Sequence, residues 1–374
     1  MQFETYPFEK LNNLLEGIIP DPGYYPITLT IGEPQFATPL FIQDTLSENA
    51  HLLNKYPKTA GEKSLRDAQR EFVSFRFGVD LDDSQIIPTF GTREVLFNFP
   101  QFLLAEKNNP VMAFTNPFYQ IYEGAAIASR AQIRHINLTK ENNFKAVIDP
   151  EQLKGCDLVI INFPNNPTSA SMELDELVKW VEAAQAYNFV LLNDECYSEI
   201  YTGYKDPSLL QASIKAGNPR FNNILVVNSI SKRSSAPGLR SGFIAGDAEI
   251  LKAYMRYRTY VGCASPLPLQ AAAAAAWEDE GHVAFFRELY ARNFQVAREI
   301  LGIPIPKSTF YLWLEVEDDL SFTKTLYKEK NVKVLPGSFL TRGDDIKEKY
   351  VRIALVEDET RTKEAMERIK PYVK

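Results

Sequence analysis

Five short apolar runs, at 85–88, 111–115, 158–163, 189–193 and 224–228, recur along the chain with helical stretches between them. Runs this brief, rich in Val, Ile, Leu and Phe, suit strands covered on both faces, as in a parallel sheet. The intervening stretches are long enough for crossover helices. One is expected to open after Gly91-Thr92 and continue to Glu106, and another to span 174–187. The chain is therefore expected to be an α/β protein on a mostly parallel sheet. Ligands bind such sheets beyond the carboxyl ends of the strands, so the residues following each run are candidates for chemistry.

After about residue 280 the rhythm changes. A long amphipathic helix at 283–301 precedes a strand at 309–314, a helix at 322–330, a strand at 350–356 and a final helix. This predicts a smaller α+β body, formed by residues 1–40 and 281–374, beside a large one at 41–280. The alanine-rich 271–276 needs only its helix propensity to explain it.

Composition removes several function classes. The 374 residues carry a net charge of -7, which gives no electrostatic footprint for nucleic acid or an anionic membrane. The first residues have neither a basic region nor an apolar one, and no apolar run is long enough to span a bilayer, so a cytoplasmic location is expected. Cys156, Cys196 and Cys263 lack metal-ligand spacing, as do His51, His135 and His282. What remains is a protein acting on small molecules.

The run at 224–228 leads into Ser229-Ile230-Ser231-Lys232-Arg233, with Arg240 a little further on. A lysine at a dry strand end sheds its proton readily and can form a Schiff base with an aldehyde, which an arginine cannot; Arg240 suits a phosphate. An ordinary loop with a solvated lysine has the same local sequence. Asp194, at the end of the fourth run, would need a cationic partner if buried, and a protonated pyridine nitrogen would serve; capping a helix is the alternative. Tyr197 and Asn166 could hydrogen-bond the phenolic oxygen of the same ring, although Asn166-Pro167 is also a plain turn signal. Gly91-Thr92-Arg93 offers a phosphate a helix N-terminus without nucleotide-loop spacing. Tyr119 could lie flat on a planar ring or be a core aromatic. Arg352 sits in an apolar strand, where a ligand carboxylate or a structural ion pair would be needed to offset its burial. Gly32 permits close backbone approach or simply a turn.

In this order, these residues resemble the fold-type-I, pyridoxal-phosphate-dependent aminotransferases of class I/II, and the resemblance runs essentially end to end. It implies the aspartate aminotransferase-like fold, with a mostly parallel seven-stranded sheet flanked by helices and a smaller α+β domain. Lys232 would carry the cofactor and move the proton, Asp194 would pair with the pyridine nitrogen, and Asn166 and Tyr197 would hold the phenolic oxygen. Tyr119 would stack on the ring. Gly91, Thr92, Arg93, Ser229, Ser231 and Arg240 would surround the phosphate, together with Tyr56 from a partner subunit of a homodimer. Arg352, with Gly32 and Asn166 nearby, would grip the substrate α-carboxylate. Ser169 departs from the family pattern, which usually has glycine there.

Less generic strings, Tyr6-Pro7-Phe8-Glu9-Lys10, Asn116-Pro117-Phe118-Tyr119-Gln120 and Asp194-Glu195-Cys196-Tyr197-Ser198 among them, resemble bacterial succinyldiaminopimelate aminotransferases. The implied reaction moves an amino group between N-succinyl-LL-2,6-diaminopimelate and 2-oxoglutarate. Arg233, Arg258, Tyr260 and Arg342 are candidates for the far end of such a substrate, or else surface charges and structural pairs. Aspartate, N-acetylornithine and aromatic transamination, a C–S β-lyase and a non-enzymatic regulator on this fold are the alternatives.

Overall fold

The computed structural model describes residues 2–343 and 349–373. Its strands are, in chain order, β1 (Ile27–Thr28), β2 (Ile86–Thr89), β3 (Val111–Asn116), β4 (Gln132–Asn137), β5 (Leu158–Ile161) and β6 (Val190–Asp194). There follow β7 (Ile224–Ser229), β8 (Gly242–Gly246), β9 (Tyr311–Glu315), β10 (Val332–Lys333), β11 (Leu335–Pro336) and β12 (Tyr350–Ala354). Seven of them form one sheet in the order β2-β8-β7-β6-β5-β3-β4.

The five apolar runs become β2, β3, β5, β6 and β7, and their lack of polar alternation has a direct cause. Ala113, Val159, Leu191 and Val226 point into one buried cluster with Phe72, Trp180 and Trp277, while Phe114, Leu158, Leu192 and Val227 point into another with Phe99, Tyr122 and Tyr254. Both faces are covered, so successive residues must all be apolar. The helices Thr92–Leu104 and Leu174–Tyr187 lie where expected.

Two strands of the seven-stranded sheet were not anticipated by the pattern. β4 is an edge strand whose Gln132, Arg134 and Asn137 remain at least partly exposed, so it carries little apolar signal. β8 begins and ends in glycine and pairs antiparallel with both β7 and β2. A Cβ on Gly246 would lie 2.0 Å from the Ile224 carbonyl oxygen, so the close packing of β8 excludes side chains there.

β3, β4, β5, β6 and β7 run parallel; β2, antiparallel to β8, points the same way as β7. The carboxyl ends of β2, β3, β5, β6 and β7 therefore share one sheet edge. Beyond it, β9, β11 and β12 form a small antiparallel sheet in the order β11-β12-β9, and β1 pairs with β10. Ile27 and Leu29 share an apolar cluster with Leu312, Val351, Ile353 and Met366, which joins the start of the chain to its end.

Candidate active site

The residues at that edge line one cleft of about 790 Å³, within the range of small-molecule sites. It is walled by Thr92, Arg93, Tyr119, Asn166, Asp194, Tyr197, Ser229, Ser231, Lys232, Arg240, Arg352 and Gly32, with the N-terminal residues Tyr6, Pro7 and Phe8 across its mouth.

Lys232 rides on a single helical turn, Ile230–Arg233, directly after β7. Ser229 caps that turn: its hydroxyl accepts from the Ser231 N–H at 3.0 Å and donates to the Ser231 hydroxyl at 2.7 Å. The lysine amine donates to the Gly32 carbonyl oxygen. A Cβ on Gly32 would lie 1.7 Å from the Tyr311 hydroxyl oxygen, so only glycine brings this backbone so close. Loss of water around the amine draws its pKa down from 10.5 to about 8, with the Arg352 and Arg240 charges acting in the same sense and Cys196 and Glu33 opposing.

Asp194 is buried at the end of β6. Its carboxylate accepts from the Tyr122 hydroxyl at 2.8 Å and from the Cys196 N–H at 3.2 Å. Both donors are neutral, and burial pushes the carboxyl above its ordinary pKa despite them. A cation placed against it would relieve that cost. Tyr122 was not singled out in the sequence; its place in the string Tyr119-Gln120-Ile121-Tyr122, one helical turn after Tyr119, is the signal that could have found it.

Arg352, on β12, reaches into the cleft beneath Tyr311, its guanidinium carbon 4.6 Å from the ring centre. It donates to the Asn166 side-chain oxygen at 2.8 Å and to the Thr30 carbonyl at 2.6 Å, while its buried Nε has no partner among the described residues. No carboxylate pairs with it among those residues, so the structural ion pair open from sequence is absent. Because Asn166 accepts from Arg352, its amide nitrogen is left free to donate. The Tyr197 and Tyr311 hydroxyls lie 2.9 Å apart; Tyr311 is a second residue that sequence reading passed over. Ser169 keeps the left-handed turn that glycine usually supplies, with φ 61°. Its hydroxyl compensates, meeting the Thr309 hydroxyl at 2.5 Å and the Tyr311 carbonyl at 2.8 Å.

At the other end, Gly91 (φ 73°) opens the helix Thr92–Leu104 and lies under Arg240, whose Nη2 would be 2.2 Å from a Cβ there. Arg240 donates to the carbonyls of Pro237 and Phe90. Thr92 contacts the Cys196 sulfur at 3.1 Å. Arg93 lines the same cleft, and its Nε donates to the Tyr119 hydroxyl at 2.8 Å.

The four residues considered for the far end of the substrate do not line the cleft. Arg233 is buried, paired with Glu280 and sandwiched by Phe72 and Trp277. Arg258 is fully buried on Glu94, and Arg342 makes a two-pronged pair with Glu123 at 2.8 Å on each arm. Tyr260 is 92% exposed, and Tyr56, at 100%, also lies outside the cleft of its own chain. Arg233 and Arg258 are buried and Arg342 is half-buried, and each is already paired with a carboxylate that neutralises much of the charge a ligand would need.

The lysine with its lowered pKa, the buried carboxylate held by neutral donors, the donor-rich helix end beside an arginine and the β12 arginine with no carboxylate partner among the described residues together fit pyridoxal 5'-phosphate and an amino acid. They define a transaminase site on an aspartate aminotransferase-like fold. Residues 26–369 match the family "Aminotransferase class I and II", and the chain belongs to it. It is 49% identical to aminotransferase AspB of Helicobacter pylori, a crystal structure it matches with a TM-score of 0.97 over 100% of this chain and 99% of that one. An aminotransferase from Neisseria meningitidis is 40% identical, with a TM-score of 0.94 over 99% and 98%. The LL-diaminopimelate aminotransferase of Aquifex aeolicus is 32% identical across 98% of this chain and 96% of its own length. The protein is a pyridoxal-phosphate-dependent transaminase acting on a small-molecule amino donor and an oxoacid.

Proposed function

We propose that the chain transfers an amino group between N-succinyl-LL-2,6-diaminopimelate and 2-oxoglutarate, as a homodimer with shared sites. In this reading residues 41–280 hold the cofactor, and the two chain ends form the body that carries Arg352 to it. Asp194 would hold the ring nitrogen's proton, Asn166 and Tyr197 would donate to the phenolic oxygen, and Tyr119 would cover the ring. Gly91, Thr92, Ser229, Ser231 and Arg240 would hold the phosphate. When bound, pyridoxal phosphate supplies the aldehyde that takes up the amino group and an electron-withdrawing ring. Lys232 Nζ takes the proton from the donor's Cα and, in the second half-reaction, delivers a proton to the α-carbon of the oxoacid, a task suited to an amine whose pKa lies near 8. Arg352 grips the α-carboxylate with two prongs, which fixes the Cα–H bond toward the lysine.

The observation that carries the substrate reading is Arg93. Lys232, Arg240 and Arg352 have roles common to any transamination, and Arg93 is the further arginine lining the cleft; among the described residues its hydrogen-bond partner is neutral. A cation there favours a donor whose far end is carboxylate and amide, and serves 2-oxoglutarate equally. Free LL-diaminopimelate is the second reading, favoured by the names of several relatives. Its distal ammonium would meet Arg93 as a like charge, which succinylation removes.

The test is kcat/KM with 2-oxoglutarate for the succinylated donor, LL-diaminopimelate, aspartate, N-acetylornithine and phenylalanine. The succinylated donor should lead, and Arg93→Gln should lower its value about tenfold or more while barely changing phenylalanine. Leadership by free LL-diaminopimelate establishes the second reading. Leadership by any of the other three overturns both.

A further inference from the structure

The turn between β2 and the helix Thr92–Leu104 is held by an ion pair between Arg258, which is buried outside the cleft, and Glu94, which lines it. Glu94 Oε2 accepts from the Phe90 N–H at 3.1 Å and from Arg258 Nη2 at 3.0 Å; Glu94 Oε1 accepts from Arg258 Nε at 3.3 Å and from the Asn98 amide at 2.9 Å. Arg258 also donates through Nη1 to the Pro88 carbonyl at 2.9 Å. On the opposite side, Arg240 Nη2 donates to the Phe90 carbonyl at 3.3 Å. The backbone of Pro88 and Phe90 is thus gripped at three polar atoms, immediately before Gly91. Arg258 is fully buried, and it comes from the last turn of a distant helix, Ala248–Val261.

We propose that the Arg258–Glu94 pair is a positioning device for cofactor binding: it fixes the Gly91–Thr92 end of the helix, and Arg240 beside it, in the geometry that receives the phosphate. The inference rests on the reading of that end as the phosphate site. A helix N-terminus binds an anion only while its free N–H groups converge on one point. The loop leading into Gly91 sets that convergence, and a two-pronged Arg–Glu contact resists rotation where a single hydrogen bond does not. Arg258 thus keeps a role at the site while having none toward the substrate's far end.

The readout is the ratio of dissociation constants for pyridoxal and pyridoxal 5'-phosphate, measured by titrating apoenzyme and following protein fluorescence. Arg258→Met should weaken binding of the phosphorylated form about tenfold or more. It should leave the unphosphorylated form within about twofold. Should the lone Glu94 charge prevent folding, Arg258→Met combined with Glu94→Gln removes both charges, and the same ratio is read. Arg258→Lys, which restores one prong, should recover part of the loss. Equal weakening of both compounds, or none of either, overturns the proposal. Arg240→Gln separates the two levels of the argument: if it leaves the ratio unchanged, the phosphate site itself has been misread. If Arg240→Gln collapses the ratio and Arg258→Met does not, only the positioning role fails.

Discussion

The amine of Lys232 has lost part of its hydration; among the described residues its hydrogen-bond acceptor is the Gly32 carbonyl, and the Phe310 ring centre lies 5.8 Å away. Its pKa of about 8 makes it a nucleophile at a pH where surface lysines are still protonated. In apoenzyme, labelling of Lys232 by an amine-directed reagent, mapped by peptide analysis, should rise through about pH 8, while surface lysines rise near pH 10. A profile matching the surface lysines would contradict the site's desolvation. Lys232→Ala should lack the cofactor's long-wavelength absorbance, and borohydride should fix the cofactor to no other lysine of the wild type. Asp194 acts by charge: Asp194→Asn should fold, yet turn over roughly a thousandfold more slowly. Tyr122→Phe removes one neutral donor to that carboxylate, so its loss should be nearer tenfold. Near-normal turnover of Asp194→Asn would remove its assigned role.

Elements place these residues, and some are held by groups that titrate. Glu195 lies beside Asp194 but points the other way, its Oε1 accepting from the Leu209 N–H at 2.8 Å and from Ser208 and Asn193 at 3.1 Å each. It thereby helps Ser208 cap the helix Leu209–Lys215. Burial outweighs these donors and lifts its pKa from 4.5 to about 7. The folded pKa is raised, so this contribution to stability is complete below the unfolded pKa and is lost as pH rises through 7. Urea unfolding at pH 5 and pH 8 should show a fall that Glu195→Gln lacks, on the order of a few kcal/mol. Equal pH dependence in both proteins would show that Glu195 is not the group responsible. The strands bearing the chemistry were legible in the sequence because burial on both faces left continuous apolar runs, and the loops after them held the titratable residues. β4 and β8 were not, since an edge strand and a glycine-bounded antiparallel strand carry little of that signal. Tyr122 and Tyr311 escaped for another reason. Aromatics read as core until a partner across the fold, Asp194 or Tyr197, gives their hydroxyls a purpose. The far-end arginines failed because a charge that is buried and paired looks no different in sequence from one free to bind.

At the scale of the whole molecule, the residues lining the cleft come from one chain, and Tyr56 is not among them. Tyr56 is fully exposed and outside its own cleft, on a stretch that also exposes Leu53. A fully exposed aromatic hydroxyl outside its own cleft suits a site completed across a two-fold axis, the commonest closed assembly. Light scattering should therefore find a dimer at assay concentration, and a fully active monomer would contradict the shared site. Complementation is a sharper measure. Lys232→Ala disables the site that its own chain builds, whereas a charge-introducing Tyr56→Asp should disable the site on the neighbour. Each homodimer then has two damaged sites. In a mixed dimer both defects fall in one site and the other is intact. Mixing the two inactive proteins under conditions of subunit exchange should restore roughly a quarter of the wild-type activity. Sites confined to single chains could not be repaired in this way, so a mixture that stays inactive despite demonstrated exchange would place Tyr56 outside the partner's site.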